Sequence, residues 1–302
     1  TPDPVKAEWN FNNAQKPLAA TVGADLAYVD ASLAGRYRAG TTGAGDLASI
    51  PAINGKPAGI MYVPYTPNDD TDATGPVHRR LGFKALHGIR ANGGGARVNQ
   101  YTIIMDLLFG ETGFGFQSLY QLHDLQAPGD GDMFWRRSSG TYGKSCCSTY
   151  DGLADTTKNH PVNTWRRVVF SVDLSATPPV LAKYIDGFKH TDKIGGTRGK
   201  VDSEFALNTP DINFFADEDN ERQDTYVNAI QIREGRISDE EAAALGGAVF
   251  IGLAVALLVT LLGVSAISAE QWAVFESSFV STRSYENPFL EVEVDVVFSQ
   301  GD

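Results

Sequence analysis

The chain has 302 residues and a net charge of −12, from 25 Lys and Arg against 37 Asp and Glu. Hydrophobic residues make up 42% and charged residues 21%, a composition typical of folded domains. The acidic balance argues against nucleic-acid binding and against binding to anionic lipid surfaces, because both need basic patches. The 31 Gly, 14 Pro, 16 Phe and 11 Tyr indicate a turn-rich β protein.

The first two-thirds of the chain predicts strands separated by loops. Residues 33–95 are rich in Gly, Pro and Asp, which predicts long loops of the kind that build binding sites on a sandwich rim. Residues 101–109 carry large apolar side chains at every odd position, which predicts a strand. Residues 167–174 place Val168, Phe170, Val172 and Leu174 on one face, with the polar Arg167, Ser171 and Asp173 on the other, which predicts another strand.

The next segments add a hairpin, two strands and a short helix. Asp186-Gly187 lies between two short apolar runs, which is a strong hairpin signal. Residues 211–216 and 226–232 predict two further strands, and residues 238–245 predict a helix with an N-cap serine. Together these elements predict a mainly β fold over residues 1–247, a two-sheet antiparallel jelly-roll sandwich.

A hydrophobic segment follows this domain. Residues 248–269 contain no charge, and a helix of that length rises about 33 Å, enough to cross a membrane. We therefore expect a membrane-inserting helix. Two other interpretations stay open: a buried core helix, and an internal signal peptide from two secreted proteins read through as one. Residues 270–302 then predict the start of an incomplete Ig-like β domain.

Several segments together carry a resemblance to a known family. They are Trp9-Asn10-Phe11, Val98-Asn99-Gln100, Asn163-Thr164-Trp165-Arg166-Arg167-Val168-Val169-Phe170, Lys183-Tyr184-Ile185-Asp186-Gly187, Phe214-Phe215-Ala216-Asp217-Glu218-Asp219 and Ile237-Ser238-Asp239-Glu240-Glu241. In this series, residues 8–247 resemble the laminin G-like modules of the concanavalin A-like lectin/glucanase superfamily. The resemblance implies a jelly roll of secreted bacterial proteins, often serving as a glycan-binding appendage.

The tail carries a second, shorter likeness. Residues 271–298, with Trp272, Phe275-Glu276 and Asn287-Pro288-Phe289, are similar to the start of the small β-sandwich that precedes a (β/α)8 glycosidase barrel in bacterial enzymes. That likeness implies catalytic carboxylates beyond residue 302. Within residues 1–247 there is no E-x-D-x-x-E glucanase pattern, so we expect no catalytic activity in this chain.

One acidic cluster has the chemistry of a metal site. The cluster is Asp217, Glu218, Asp219, Asn220 and Glu221. It follows an apolar strand and offers the oxygen ligands that Ca²⁺ prefers, which predicts a structural calcium site. The alternative is a solvated acidic turn. The resembling fold commonly binds calcium, which favours the first interpretation.

Aromatic residues in loop-prone or strand-end stretches are candidate sugar contacts. Trp135, Tyr142 and Tyr150 could form a platform, because aromatic faces stack on sugar rings. The alternative is that such rings fill the core, and Tyr120 fits a core position equally well.

These observations support one main hypothesis and two alternatives. The first is a non-catalytic, extracellular or cell-surface module that binds a polysaccharide, with structural Ca²⁺ and a membrane attachment through residues 248–269. The second is the N-terminal part of a glycoside hydrolase whose barrel is absent. The third is a structural or adhesion module without a sugar ligand.

Overall fold

The computed structural model describes residues 4–65, 81–121, 133–143, 155–191, 199–217 and 221–248. These contain fourteen strands and one α-helix, with short 3-10 helices at Ala31–Arg36, Gly45–Leu47 and Thr156–Lys158. The elements in chain order are β1 (Val5–Trp9), β2 (Ala27–Tyr28), β3 (Arg38–Thr41), β4 (Gly59–Val63), β5 (Phe83–Leu86), β6 (Gln100–Gly113), β7 (Phe116–Gln121), β8 (Met133–Arg136), β9 (Thr141–Gly143), β10 (Arg166–Asp173), β11 (Val180–Ile185), β12 (Phe188–Thr191), β13 (Asp211–Phe214), β14 (Gln223–Glu234) and α1 (Asp239–Leu245).

The strands form two antiparallel sheets. The larger sheet has the order β12-β11-β10-β6-β14-β4-β3, with β1 also paired to β14. The smaller sheet has the order β2-β5-β13-β7-β8-β9. Their inner faces enclose the main hydrophobic core, to which β6 and β10 contribute the apolar side chains that the period-two pattern places on one face. The predicted β-sandwich is confirmed.

Local sequence signals explain the turns and the helix. Asp186 and Gly187 both have positive φ, 50° and 79°, as the tight turn between β11 and β12 requires. The Ser238 side chain accepts the Glu241 N–H and the Glu241 side chain bonds back to the cap, which is a complete capping box at the start of α1.

The outer face of the larger sheet is partly covered. Helix α1 packs there through Ala242 against Ile104, Val169 and Tyr184. Beneath the helix, Arg167 donates to both carboxylate oxygens of buried Asp106 at 2.8 and 2.7 Å. The loop around Leu47 and Ile50 covers another part of this face.

Within the described ranges, no helix is long and apolar enough to cross a membrane. Apart from Ala248, the hydrophobic segment 248–269 and the predicted β domain 270–302 lie outside those ranges. Both therefore stay predictions.

Candidate functional site

An open depression lies at one end of the smaller sheet, and we call it the rim depression. Its volume is about 480 Å³. It is lined by Gly115, Phe116, Arg136, Arg137 and Ser138. The lining thus combines one aromatic ring with two guanidinium groups and a hydroxyl.

Strand geometry decides which side chains reach the rim depression. Phe116 of β7 pairs with Arg136 of β8, and Gln117 pairs with Trp135. Successive residues of a strand point to opposite faces, so Phe116 and Arg136 face outward while Gln117 and Trp135 face the core. The Arg136 guanidinium lies 5.9 Å from the centre of the Phe116 ring, within range of a cation–π contact.

The turn between β6 and β7 contributes Gly115 to the rim depression and carries an exposed aromatic ring, Phe114. Gly115 has φ 105°, a conformation that favours glycine, and the Phe114 N–H donates to the Arg222 carbonyl at 2.8 Å. Phe114 is 60% exposed, the most exposed large apolar residue among those described. A hydrogen bond thus holds the backbone of this turn, while the Phe114 side chain is exposed to solvent.

Arg137 is held in place from three sides. Its backbone N–H donates to the Gly115 carbonyl at 2.8 Å, its Nη1 donates to the Glu111 carbonyl at 2.5 Å, and its Nη2 donates to Glu111 Oε2 at 2.6 Å. Asn163 Nδ2 donates to the other oxygen of Glu111 at 2.9 Å. An exposed ion pair contributes at most about 1 kcal/mol to stability. The network therefore acts chiefly by orienting the guanidinium.

Two of the three predicted sugar contacts lie in the core instead. Trp135 and Tyr142 are 0% and 1% exposed. The Trp135 ring stacks on Phe109 with centroids 4.1 Å apart, and its Nε1 donates to the His160 carbonyl at 2.9 Å. Neither ring presents a face to a ligand, so these two residues do not form the predicted platform. Tyr150 lies outside the described residues.

We call Phe109, Trp135, Tyr142 and His160 the inner cluster. His160 Nε2 lies 2.8 Å from the Thr164 carbonyl, which only accepts, so Nε2 carries the proton. Nδ1 therefore accepts from the Tyr142 hydroxyl. Burial lowers the pKa of His160 to about 3 and raises that of Tyr142. Both side chains are neutral at pH 7, and their hydrogen bonds are satisfied inside the protein.

The predicted calcium cluster is only partly described. Asp217 is buried, and its Oδ2 accepts the Glu221 N–H at 2.6 Å. Glu218, Asp219 and Asn220 lie outside the described residues. Across the described ranges, no group of three or more His, Cys, Asp or Glu side chains is placed to hold a metal. The calcium site stays a prediction.

The sequence analysis missed Phe114 and Phe116 and chose Trp135, Tyr142 and Tyr150 instead. The signal was present in Gly113-Phe114-Gly115-Phe116, where an aromatic ring stands between two turn-forming glycines. Arg136-Arg137 directly after Trp135 marked the outward side of the same strand.

Comparison with known proteins found similar solved structures at low sequence identity. No protein-family model and no curated protein matches the chain. The binding domain of Paraclostridial Mosquitocidal Protein 1 is similar to 68% of the chain at 13% identity and TM-score 0.43. The receptor binding domain of botulinum neurotoxin D is similar to 80% of it at 10% identity and TM-score 0.46. The chain spans 45% and 52% of the lengths of these two.

A third match aligns with this chain over almost its whole length. Domain 4 of AbnA, an extracellular arabinanase of Geobacillus stearothermophilus solved with arabinotriose, matches 81% of the chain and 98% of its own length. The identity is 15% and the TM-score 0.40. At these values all three matches concern the general β-sandwich architecture and do not bear on function.

Proposed function

We propose that the chain is a non-catalytic carbohydrate-binding module whose glycan lies in the rim depression. The observation that carries the proposal is a depression lined by Phe116, Arg137 and Ser138, whose lining residue Gly115 directly follows the exposed Phe114 in the chain. Aromatic rings stack on the C–H faces of sugars, and N–H and hydroxyl groups bond the sugar hydroxyls. A ligand pocket commonly has a volume of about 300–1,000 Å³, so the depression is large enough.

The chemistry of the lining supports binding without hydrolysis. Glycosidases usually place two carboxyl groups about 5–9.5 Å apart across the scissile bond. None of the five residues that line the depression carries a carboxylate. The nearby Glu111 is bonded to Arg137 and Asn163 through both oxygens. This arrangement orients a donor rather than supplying an acid and a nucleophile.

Retention on immobilised polysaccharides tests the proposal. The full chain is applied to arabinan, xylan, galactan, dextran, alginate and polygalacturonate, with Ca²⁺ and with chelator. We expect selective retention by one polymer, lowered about two- to tenfold by Phe114→Ala, since an aromatic contact contributes about 0.5–1.5 kcal/mol. Loss on chelation with the fold intact would support the predicted calcium site.

Phe188→Ala is the matched control. Phe188 is also an exposed phenylalanine, and the Lys158 ammonium lies 4.5 Å from its ring centre. Phe114 adjoins the lining residue Gly115, whereas Phe188 lies on β12 of the other sheet. Loss of the Phe188 ring should leave retention unchanged. No retention on any polymer, or equal retention by Phe114→Ala and wild type, would reject the proposal.

A further inference from the structure

A second aromatic surface lies on the outer face of the larger sheet. Tyr62 of β4 pairs with Arg38 of β3 on one side and with Tyr226 of β14 on the other. Cross-strand partners lie on the same side of a sheet, so these three side chains form a row across three strands. We call this row, together with Asp224 of β14, the tyrosine face.

The two rings are held in a fixed geometry. Tyr62 and Tyr226 stack with centroids 4.8 Å apart and an interplanar angle of 20°. The Tyr62 hydroxyl donates to Asp224 Oδ1 at 2.8 Å, and the Tyr65 N–H donates to the same oxygen at 2.7 Å. Both rings are half-buried, so each keeps part of its surface open to solvent. The rings are therefore positioned before any ligand arrives.

The tyrosine face packs beside the loop that covers part of this sheet. Leu47 and Ile50 of the loop bury Ile60 and Leu108, and the tyrosine pair packs against the edge of this group. The rings pack on buried apolar side chains and are carried by two paired strands of the larger sheet, β4 and β14. Sites on rigid strands hold their geometry better than sites on loops.

Polar groups surround the rings. Arg38 has a 59% exposed side chain, and its Nε lies 4.0 Å from Asp46 Oδ2, at the limit of an ion pair. Burial and the Asp224 carboxylate raise the pKa of both tyrosines, so their hydroxyls stay protonated. The face thus offers neutral hydroxyls, a carboxylate and a guanidinium around an apolar ring surface.

We propose that the tyrosine face is a second carbohydrate subsite, separate from the rim depression, and that it takes a neutral sugar residue of a linear polysaccharide. The exposed parts of the rings contact the C–H face of the sugar, while Asp224 and Arg38 bond its hydroxyls. This surface carries two carboxylates, Asp224 and Asp46, and one cation, Arg38. The negative balance disfavours an acidic sugar.

Two subsites on one domain change how it binds polymers. Linking two weak contacts through one polysaccharide raises avidity by about 10²–10⁴ over a single contact, provided that both are engaged together. This consequence rests on the proposed function, because it needs the rim depression as the other contact. The subsite itself rests only on the residues of the tyrosine face.

Titration calorimetry of the full chain with neutral tetrasaccharides tests the inference. The probes are the tetrasaccharides of arabinan, xylan, galactan and dextran, and the variants are Tyr226→Ala, Arg38→Gln and Phe114→Ala. Arg38 is exposed, so Arg38→Gln remains informative if Tyr226→Ala fails to fold. We expect two bound equivalents in the wild type and one in Tyr226→Ala or Phe114→Ala. Arg38→Gln should weaken one of the two sites about tenfold.

Tyr28→Ala is the matched control, because Tyr28 is also half-buried and lies 4.7 Å from another tyrosine, Tyr37. It should keep both equivalents. A single equivalent that Phe114→Ala removes and Tyr226→Ala leaves intact would overturn the inference while the proposed function stands. A single equivalent removed by Tyr226→Ala alone would uphold the tyrosine face and overturn the rim depression. Binding of no neutral tetrasaccharide would overturn the inference, and the polymer panel would then decide the proposed function separately.

Discussion

The inner cluster and the rim depression use neighbouring residues of the same strand for opposite purposes. Trp135 points inward, where its ring stacks on Phe109 and its N–H meets the His160 carbonyl. Arg136, one residue later, points outward into the depression. In the inner cluster, the indole, phenol and imidazole groups are bonded within the protein. In the rim depression, an aromatic ring and polar groups face solvent, where a ligand can reach them.

The two regions are also physically joined. The His160 N–H donates to the Gly140 carbonyl at 2.7 Å, and the Gly140 N–H donates to the Arg136 carbonyl at 2.8 Å. The turn that carries Arg137 and Ser138 is thus fastened to the inner cluster. The comparison teaches that buried aromatic groups here stabilise the scaffold, while Arg136 and Phe116 on the same two strands reach the surface.

The largest effect on stability should come from removing an aromatic side chain of the inner cluster. We expect Trp135→Ala to lower the free energy of unfolding by about 3–5 kcal/mol, because it removes a fully buried ring and leaves a cavity. Urea unfolding followed by far-ultraviolet circular dichroism measures this. A loss below about 1 kcal/mol would contradict the placement of Trp135 in the core.

Low pH should reduce the stability of the protein through His160 of the same cluster. The folded pKa of His160 is about 3, below its unfolded value near 6.5, so the native state binds fewer protons between these values. The contribution of His160 to the free energy of unfolding should be fully present above pH 6.5 and should fall as the pH drops toward 3. The contribution is at most about 1.4 kcal/mol per pH unit. Urea midpoints at pH 7, 5.5 and 4.5 measure it, and His160→Gln should flatten the slope.

Removing a single buried hydroxyl should cost less. Tyr142→Phe takes away the donor to His160 Nδ1 and leaves that buried nitrogen unsatisfied, for an expected loss of about 1–3 kcal/mol. Tyr226→Phe is the control, since Tyr226 is only half-buried and its change should stay within about 0.5 kcal/mol. Equal effects of the two variants would argue against the hydrogen bond in the inner cluster.

The smallest effect on stability should come from the rim. We expect Phe114→Ala to change the free energy of unfolding by less than about 0.5 kcal/mol, because the ring is mostly exposed. The same variant should lower glycan retention about two- to tenfold. A large loss of stability would show that Phe114 supports the fold rather than binding a ligand.

The elements that could be predicted from sequence have local causes. The apolar–polar alternation of residues 167–174 corresponds to β10, with Val168, Phe170 and Val172 in the core. The Asp186-Gly187 turn and the Ser238 cap depend on residues within four positions of each other. Backbone sterics and neighbouring hydrogen bonds determine such features without help from the rest of the chain.

The site could not be predicted in the same way, because it depends on which face of a short strand is covered. Sequence identifies Trp135 as an aromatic residue near a loop, but the position of Phe109 across the sandwich decides that it is buried. Tyr62 and Tyr226 are 164 residues apart and meet only through strand pairing. Neither contact leaves a local signal.

Hydrogen–deuterium exchange of the full chain, with and without the polysaccharide it retains, tests the central claim most directly. The Phe114 and Arg137 amides are bonded to Arg222 and Gly115, so they report on the rim depression itself. We predict that the glycan slows exchange in residues 111–117 and 136–140 and leaves the inner strand β10 unchanged. Protection confined to other surfaces, with residues 111–117 and 136–140 exchanging as before, would contradict the account.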